Sequence, residues 1–548
     1  MSPTAPAPRR PDHLPDHLPD HVDVVIVGSG PAGAAYARVL SEQAPHATIV
    51  LFEAGPLISD PPGAHVKNIA DPAARAAAQR ASEGRRPAAA DTPTDTLDGY
   101  ADGAHRLVRP GTSLLPTGWR QPGEDGMPAA AVSTNVGGMA AHWTGACPRP
   151  GDSERIPFLP DLDDLLTEGE RLLGVSSTAL AGAPLAGEVR RRLADALDAG
   201  RAPGRRVQPM PLAVRRETGP DGTGRLVWSG SDVVFGAVTR ENPRFTLVPE
   251  ALVTRVLTTD GPEGRRVTGV RVRDLSAGDG PDGPEHEVSA AHVVVAADAL
   301  RTPQLLWASG VRPPALGRYL NDQPQVVFAV RLRDVPQSAG EPETLGVDPR
   351  TTPGITAQSG VSWVPFTDEH PFHGQVMQLD ASPVPLPAGD DPVPGSVVGL
   401  GWFCAKDVQA GDRVAFSETE VDENGMPAPR LHYTLTARDH RTLEEARAAV
   451  RRAALALGDP LDDEPLTFPN GASLHYQGSV RMGAQDDGTS VCDRDSRVWG
   501  VAGLHVAGNG VIPTATACNP TLTSVALAVA GARSIARALQ HSPAHAGA

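Results

Sequence analysis

The sequence predicts an α/β fold. One domain is built on a parallel nucleotide-binding sheet that is discontinuous in sequence, and a second carries a mainly antiparallel sheet flanked by helices. Three observations predict it. A continuous apolar run, Val24 to Val27, leads through a glycine-rich turn and a helical pattern to a second apolar run ending at Glu53. Much later, "HVVVAADALRTPQLLWASG" repeats a buried strand followed by a helix, beginning near Thr302, and reads as a return to the same sheet. Between them "FTLVPEALVTRVLTT" and "RVTGVRVRDL" alternate at period two, as half-buried strands do.

The first unit is the most informative. Gly28, Gly30 and Gly33 fill G-x-G-x-x-G between strand and helix. Gly28 permits the tight turn, Gly30 lets a pyrophosphate approach the backbone, and Gly33 lets helix and strand pack closely. The helix N-terminus offers amide donors and a partial positive charge to phosphate. Glu53 lies twenty residues beyond Gly33, where a carboxylate suits the ribose hydroxyls of an adenosine. The motif alone does not separate NAD from FAD.

Composition narrows the partners. The chain has 548 residues, with Lys plus Arg 49 against Asp plus Glu 65 and a formal net charge of −16. That balance argues against nucleic acid or an anionic membrane surface, both of which demand a basic face. Cys147, Cys404, Cys492 and Cys518 are too scattered for a metal site or a disulfide framework. The N-terminal stretch has paired arginines without a following apolar run, and no window approaches the ~18 apolar residues of a membrane span, so a cytoplasmic location is expected. "PDHLPDHLPDH" spaces three histidines by four, but the recurring proline keeps them off a common helix face. It reads as a disordered leader.

Later segments fill out the plan. "VAFSETEV" and "PRLHYTLT" read as strands of the second sheet, and "DHRTLEEARAAVRRAALAL" as a helix flanking it. The last long helix starts around Pro520. The expected division is a leader at 1–20, a nucleotide-binding domain from 21–58, 129–150, 240–328 and 484–541, a lid or interface excursion at 59–128, and a substrate-binding domain from 151–239 and 329–483.

Two distant segments carry the chemistry: "STNVGGMAAHWTGACPRP" at 133–150, and "SLHYQGSVRMG" at 473–483 with "SRVWGVAGLHVAGNGVIPTATACNPTLTS" at 496–524. With the N-terminal fingerprint, "PPGAHVKNI" and "ALRTPQLLWASG", they resemble the glucose–methanol–choline (GMC) family of flavin oxidoreductases. Within it they are most similar to the pyranose 2-oxidases and C-glycoside oxidases. The resemblance spans the chain and implies FAD as cofactor, a sugar or sugar glycoside as substrate, and oxidation of a secondary hydroxyl at C2 or C3. O₂, giving peroxide, or a quinone takes the electrons.

By that resemblance His475 is the base and Asn519 its partner over the substrate hydroxyl. An alcohol carbon gives up hydride only as its hydroxyl proton leaves, and an imidazole of ordinary pKa near ~6.5 suits that task. The amide of Asn519 fixes the hydroxyl by hydrogen bonding. The resemblance also places Gly137, Gly138, Val253, Gly508, Asn509, Pro520 and Thr521 against the cofactor, beside Gly28, Gly30, Gly33 and Glu53. His142 corresponds to a histidine that carries flavin covalently in fungal relatives. Here it follows Ala140 and Ala141, where those relatives have Ser and Thr. Gln378 and Asp380 fall where a mobile substrate loop is expected and are candidate partners for sugar hydroxyls. His432 and His505 sit in alternating apolar runs and are assigned to packing.

Three alternatives stay open: an alcohol or sugar dehydrogenase with a non-oxygen acceptor, a C-glycoside 3-oxidase feeding deglycosylation, and a nucleotide-binding protein without catalysis. No metal is expected, and the protein is expected to be a monomer or dimer.

Overall fold

The computed structural model describes residues 21–84, 109–181, 183, 185–218, 224–276, 283–335, 358–379, 392 and 395–540. The leader at 1–20 lies outside them, as does Asp380.

β1 (His21–Val27) forms because its valines and isoleucine are covered on both faces, and Val24, Val25 and Ile26 are fully buried. It runs parallel to β2 (Ile49–Phe52) on one side, and β2 runs parallel to β3 (Phe245–Val248). On its other side β1 pairs in parallel with β6 (Glu285–Val295). β4 (Ala251–Gly261) and β5 (Gly264–Asp274) make an antiparallel hairpin that joins through β5 to β6. The short strands Val501–Ala502 and Leu504–Val506 complete this eight-stranded sheet against β5 and β6.

Helix α1 (Pro31–Gln43) has proline in its first turn and an inner face rich in alanine and glycine, with Tyr36, Val39 and Leu40 among them. That face admits the terminal helix, and a Cβ at Gly531 would fall on the Tyr36 hydroxyl. α2 (Leu162–Leu173) packs on the terminal helix too, and its leucines join the core of the first sheet.

α3 (Asp298–Ala308) begins four residues before the expected start. Asp298 takes φ +66 and its Oδ1 accepts from the Leu300 and Arg301 amides, a capping geometry that sequence periodicity does not reveal. Pro303 therefore sits inside the helix and leaves the Ala299 carbonyl without its amide partner. The Ser479 hydroxyl donates to that carbonyl instead.

The second sheet is antiparallel. Its long strands are β7 (Gln325–Leu332), β8 (Gln358–Val364), β9 (Phe372–Leu379) and β10 (Val397–Cys404), in the spatial order β7-β10-β9-β8. α4 (Ala437–Leu457) covers one face, with a capping box at Thr436 and Asp439 and a row of buried alanines toward the strands. "VAFSETEV" and "PRLHYTLT" do form strands, Arg413–Val421 and Pro427–His432, but these pair with each other as a separate ribbon.

The closing helix α5 (Thr521–Gln540) corrects the expectation that no window is apolar enough to span a membrane. It is long and apolar enough by length and composition, and 72% of that window is buried inside the protein. Its first turns are buried and apolar because α1 and α2 both cover them, while Arg533 and Arg537 mark its outer side toward the C-terminus.

Candidate active site

A cavity of about 1130 Å³ lies between the two sheets. Gly28, Gly30, Glu53 and Val253 line it from the first sheet. Gln325 and Val327 of β7, Gln375 and Met377 of β9, and Gly401 and Phe403 of β10 line it from the second. Gly138, His142, His475, Gly508, Asn509, Asn519 and Thr521 close the remaining wall.

The first-sheet end is shaped for a diphosphate. Gly28 has φ +99, and a Cβ there would stand 2.4 Å from the Ala296 carbonyl oxygen. A Cβ at Gly33 would stand 2.0 Å from the Gly28 oxygen, so Gly33 joins helix to turn behind the cavity wall. At Gly30, on the wall itself, a Cβ would meet nothing within 4 Å. The open space next to the N-terminus of α1 is where a phosphate would sit. Glu53 braces the turn: Oε2 accepts from the Ser29 amide at 3.0 Å and hydroxyl at 2.7 Å, and Oε1 from the Gly55 amide at 2.8 Å. Burial pushes its carboxyl upward against these bonds. Gly137 stands behind Gly138, against the Gly63 backbone, and Pro520 is buried behind Thr521.

His142 ends the short 3-10 turn Gly138–Ala141. Gly111 is required beside it, since a Cβ there would stand 2.4 Å from the imidazole Cε1. Trp143 is fixed at both ends: its indole donates to the Ser229 carbonyl at 2.8 Å, and its own carbonyl accepts from His65 Nε2 at 2.8 Å. The imidazole of His142 is left neutral, its pKa pushed down to about 4 by burial. Both ring nitrogens are buried without a hydrogen-bond partner among the described residues. Such a group in a cavity wall marks a place that a ligand completes.

His475 and Asn519 come together on the same wall. Asn519 Nδ2 donates to His475 Nε2 at 3.3 Å, and the Asn519 Oδ1 is buried without a partner among the described residues. The ring Nδ1 donates to Gln323 Oε1 at 2.6 Å, and Phe403 stacks on the ring with centroids 5.3 Å apart. Burial pushes the His475 pKa down to about 3, helped by His373 and Arg109. This corrects the expectation of an ordinary imidazole, because Phe403 and the buried wall exclude the water that would solvate an imidazolium.

Several supporting residues carry no sequence signal. Glu154 is 2% exposed, and its Oε1 accepts from the amides of Ala517 and Cys518, both at 2.8 Å. Its Oε2 accepts from the Gly151 amide at 2.9 Å. It therefore grips the loop that ends in Asn519. On the other side, Asp322 accepts from the Ser473 hydroxyl and from the Gly471 amide at 2.8 Å, and Ser473 Oγ accepts from the His475 amide at 3.0 Å.

Of the two substrate-loop candidates, Asp380 lies outside the described residues and Gln378 does not reach the cavity. Gln378 is 1% exposed, lies off the cavity wall and donates to the Gly395 carbonyl at 3.2 Å. Side chains alternate along β9, so Gln375 and Met377 face the cavity instead. Of the histidines assigned to packing, His505 is 3% exposed with both ring nitrogens unpartnered among the described residues. His432 is not a packing residue: its ring meets Glu124 Oε1 at 2.8 Å and Arg413 at 3.3 Å, near the surface. Among the described residues no group of His, Cys, Asp and Glu is placed to hold a metal ion.

Comparison with known proteins places this geometry. Family models described as GMC oxidoreductase match residues 229–325 and 413–528. A C-glycoside 3-oxidase from Microbacterium trichothecenolyticum is 62% identical over 522 residues, covering 94% of this chain and 96% of that protein. A pyranose 2-oxidase from Tricholoma matsutake is 31% identical over 561 residues, covering 94% and 93%. Among solved structures, pyridoxine 4-oxidase from Mesorbium loti superposes with a TM-score of 0.60 at 20% identity, covering 94% of this chain and 99% of that one.

Proposed function

Because the chain belongs to the GMC oxidoreductase family, we propose that it is an FAD-dependent oxidase that converts the C3 hydroxyl of a sugar glycoside, a C-glycoside above all, to a ketone. The observation that carries this is the pairing of His475 Nε2 with Asn519 on the wall of a cavity that also holds the diphosphate cradle. The relative at 62% identity, a C-glycoside 3-oxidase, supports the position of attack.

Bound FAD supplies the hydride acceptor. The chain's residues do the rest. The Asn519 Nδ2 donates to the oxygen of the reacting hydroxyl and orients it, which leaves that hydroxyl's single hydrogen for His475, while the unpartnered Oδ1 accepts from a neighbouring hydroxyl. The neutral His475 Nε2 receives the hydroxyl proton as the carbon–hydrogen bond opens. Gln375 and Gln325 offer polar atoms to the remaining hydroxyls, and the apolar faces of Phe403 and Met377 exclude water. The reading is tested by anaerobic titration with glucose and with a C-glycoside, followed by peroxide assay in air. Bleaching by the C-glycoside with one peroxide per ketone supports it. Bleaching without peroxide, and turnover only with a quinone or dye, identifies a dehydrogenase. No bleaching by any sugar or alcohol identifies a non-catalytic protein.

The same proposal extends to His142 as the attachment point of the flavin. Attachment needs a neutral ring with a nitrogen free to bond, and the low pKa and the two unpartnered ring nitrogens support both conditions. The hydroxyls missing at Ala140 and Ala141 are not the nucleophile. The expected result is that acid-precipitated protein stays yellow and that His142→Ala yields a colourless pellet. A colourless pellet from the parent protein overturns covalent attachment.

A further inference from the structure

We propose that Gln323 is a positioning residue that holds His475 in the tautomer with Nδ1 protonated and Nε2 bare, so that the base is set before substrate arrives. This rests on His475 as the base, and it follows from the hydrogen bonds around one buried amide.

Gln323 is 1% exposed and lies just before β7. Its Nε2 stands 2.8 Å from the Cys518 carbonyl oxygen. A backbone carbonyl only accepts, so the atom facing it is the NH₂ group. The Thr516 hydroxyl agrees: it accepts from Gln323 Nε2 at 3.2 Å and donates to Gln477 Oε1 at 3.0 Å. Turning the amide over would set two lone-pair oxygens against each other inside the protein, leaving both unsatisfied. The carbonyl oxygen Oε1 therefore faces His475 Nδ1, at 2.6 Å, and Nδ1 carries the hydrogen.

A neutral imidazole holds one ring proton. With that proton on Nδ1, Nε2 presents its lone pair, and the Asn519 amide donates to it at 3.3 Å. The chain from Gln477 through Thr516 and Gln323 to His475 thus runs in one direction, and each member fixes the next. The same loop supplies Thr516, the Cys518 carbonyl and Asn519, so tautomer and substrate amide are set by one backbone segment. The other charged or titratable groups around the ring are His373, beyond Phe403, Arg109 lining the same cavity, and Asp322 through Ser473.

The tautomer is read directly, without substrate, on holoenzyme labelled with ring-¹⁵N histidine, the His475 signals being those lost in His475→Ala. The expected spectrum shows a protonated Nδ1 and a bare Nε2. A protonated Nε2 overturns the proposal. Kinetics supply the second reading, with the C-glycoside that reduces the parent enzyme. Gln323→Leu, which removes the acceptor, is expected to slow flavin reduction by about 10- to 100-fold with KM within about threefold. Gln323→Glu, whose buried neutral carboxyl keeps its carbonyl oxygen toward Nδ1 and turns its O–H to the Cys518 carbonyl, is expected to recover at least about tenfold of that loss. Reduction by the leucine variant within about threefold of the parent, or equal slowing in both variants, overturns the proposal. If no sugar reduces even the parent enzyme, the substrate reading has failed while the tautomer measurement still decides this one.

Discussion

His475→Ala is expected to slow reduction of the bound flavin by ~10²- to 10⁴-fold, the range for losing a general base, while the flavin content of the protein is unchanged. The flavin content should hold because the cradle for the diphosphate is built from the first sheet and α1, elements that do not carry His475. The rate should fall because no other described side chain stands in the same place: Asn519 is an amide and cannot hold the proton, and His373 is separated from the site by Phe403. Stopped-flow reduction under anaerobic conditions checks this, and near-parental reduction removes His475 from the base role. The parent enzyme carries a companion expectation in pH. A free imidazole loses its basic form below about pH 6.5, but burial holds this ring neutral down to about 3. The histidine's pKa is lower in the folded protein, so its base form persists as pH falls. Reduction should stay level from about pH 8 to about pH 5, instead of falling through the ordinary imidazole range.

Glu154→Leu is expected to lose stability and catalysis together. The carboxylate satisfies three amides, those of Gly151, Ala517 and Cys518, where water is excluded. Each buried amide left without an acceptor costs ~1–3 kcal/mol, so the loss should be about 3 kcal/mol or more. The Thr514 hydroxyl, which donates to the Glu154 carbonyl at 2.8 Å, ties the same loop to the same residue. When that grip is released, Asn519 and the Cys518 carbonyl shift together, and the histidine loses its two supports. Denaturant unfolding of holoenzyme and flavin reduction at saturating substrate are the measurements. Glu154→Gln keeps one acceptor oxygen, which can serve Ala517 and Cys518, and should fall between parent and leucine variant in both. A leucine variant that melts early yet reduces flavin at the parental rate would confine Glu154 to stability.

The sequence made some of this visible and hid the rest for identifiable reasons. The turn through Gly28, Gly30 and Gly33 is local, its spacing set by one strand, one turn and one helix, so its geometry follows from the residues themselves. His475 and Asn519 were singled out by the resemblance of their motifs to the family, and the structure brings the two side chains to 3.3 Å. Glu154 and Gln323 left no such trace. Their partners lie 363 and 152 positions away, and each acts by accepting hydrogen bonds, which an acidic or amide side chain does anywhere. Gln378 shows a different limit, because a strand reverses its face at every residue. Choosing Gln378 over Gln375 required the register of β9 against β10, which no local pattern supplies. The early start of α3 depended on an aspartate with positive φ and a serine from another segment, both tertiary facts.

The first sheet takes β1 and β2 from the start of the chain, β3 to β6 from its middle and two short strands from near its end. During synthesis, then, the ribosome delivers the phosphate turn early and its partners in β6 only after residue 285. The strand Leu504–Val506, Asn519 and the helix that covers α1 emerge later still. A growing chain holds the G-x-G-x-x-G turn for most of its synthesis with no second wall to shelter a flavin. A product cut short before α5 would lack the cover over α1 and would expose an apolar surface prone to aggregation.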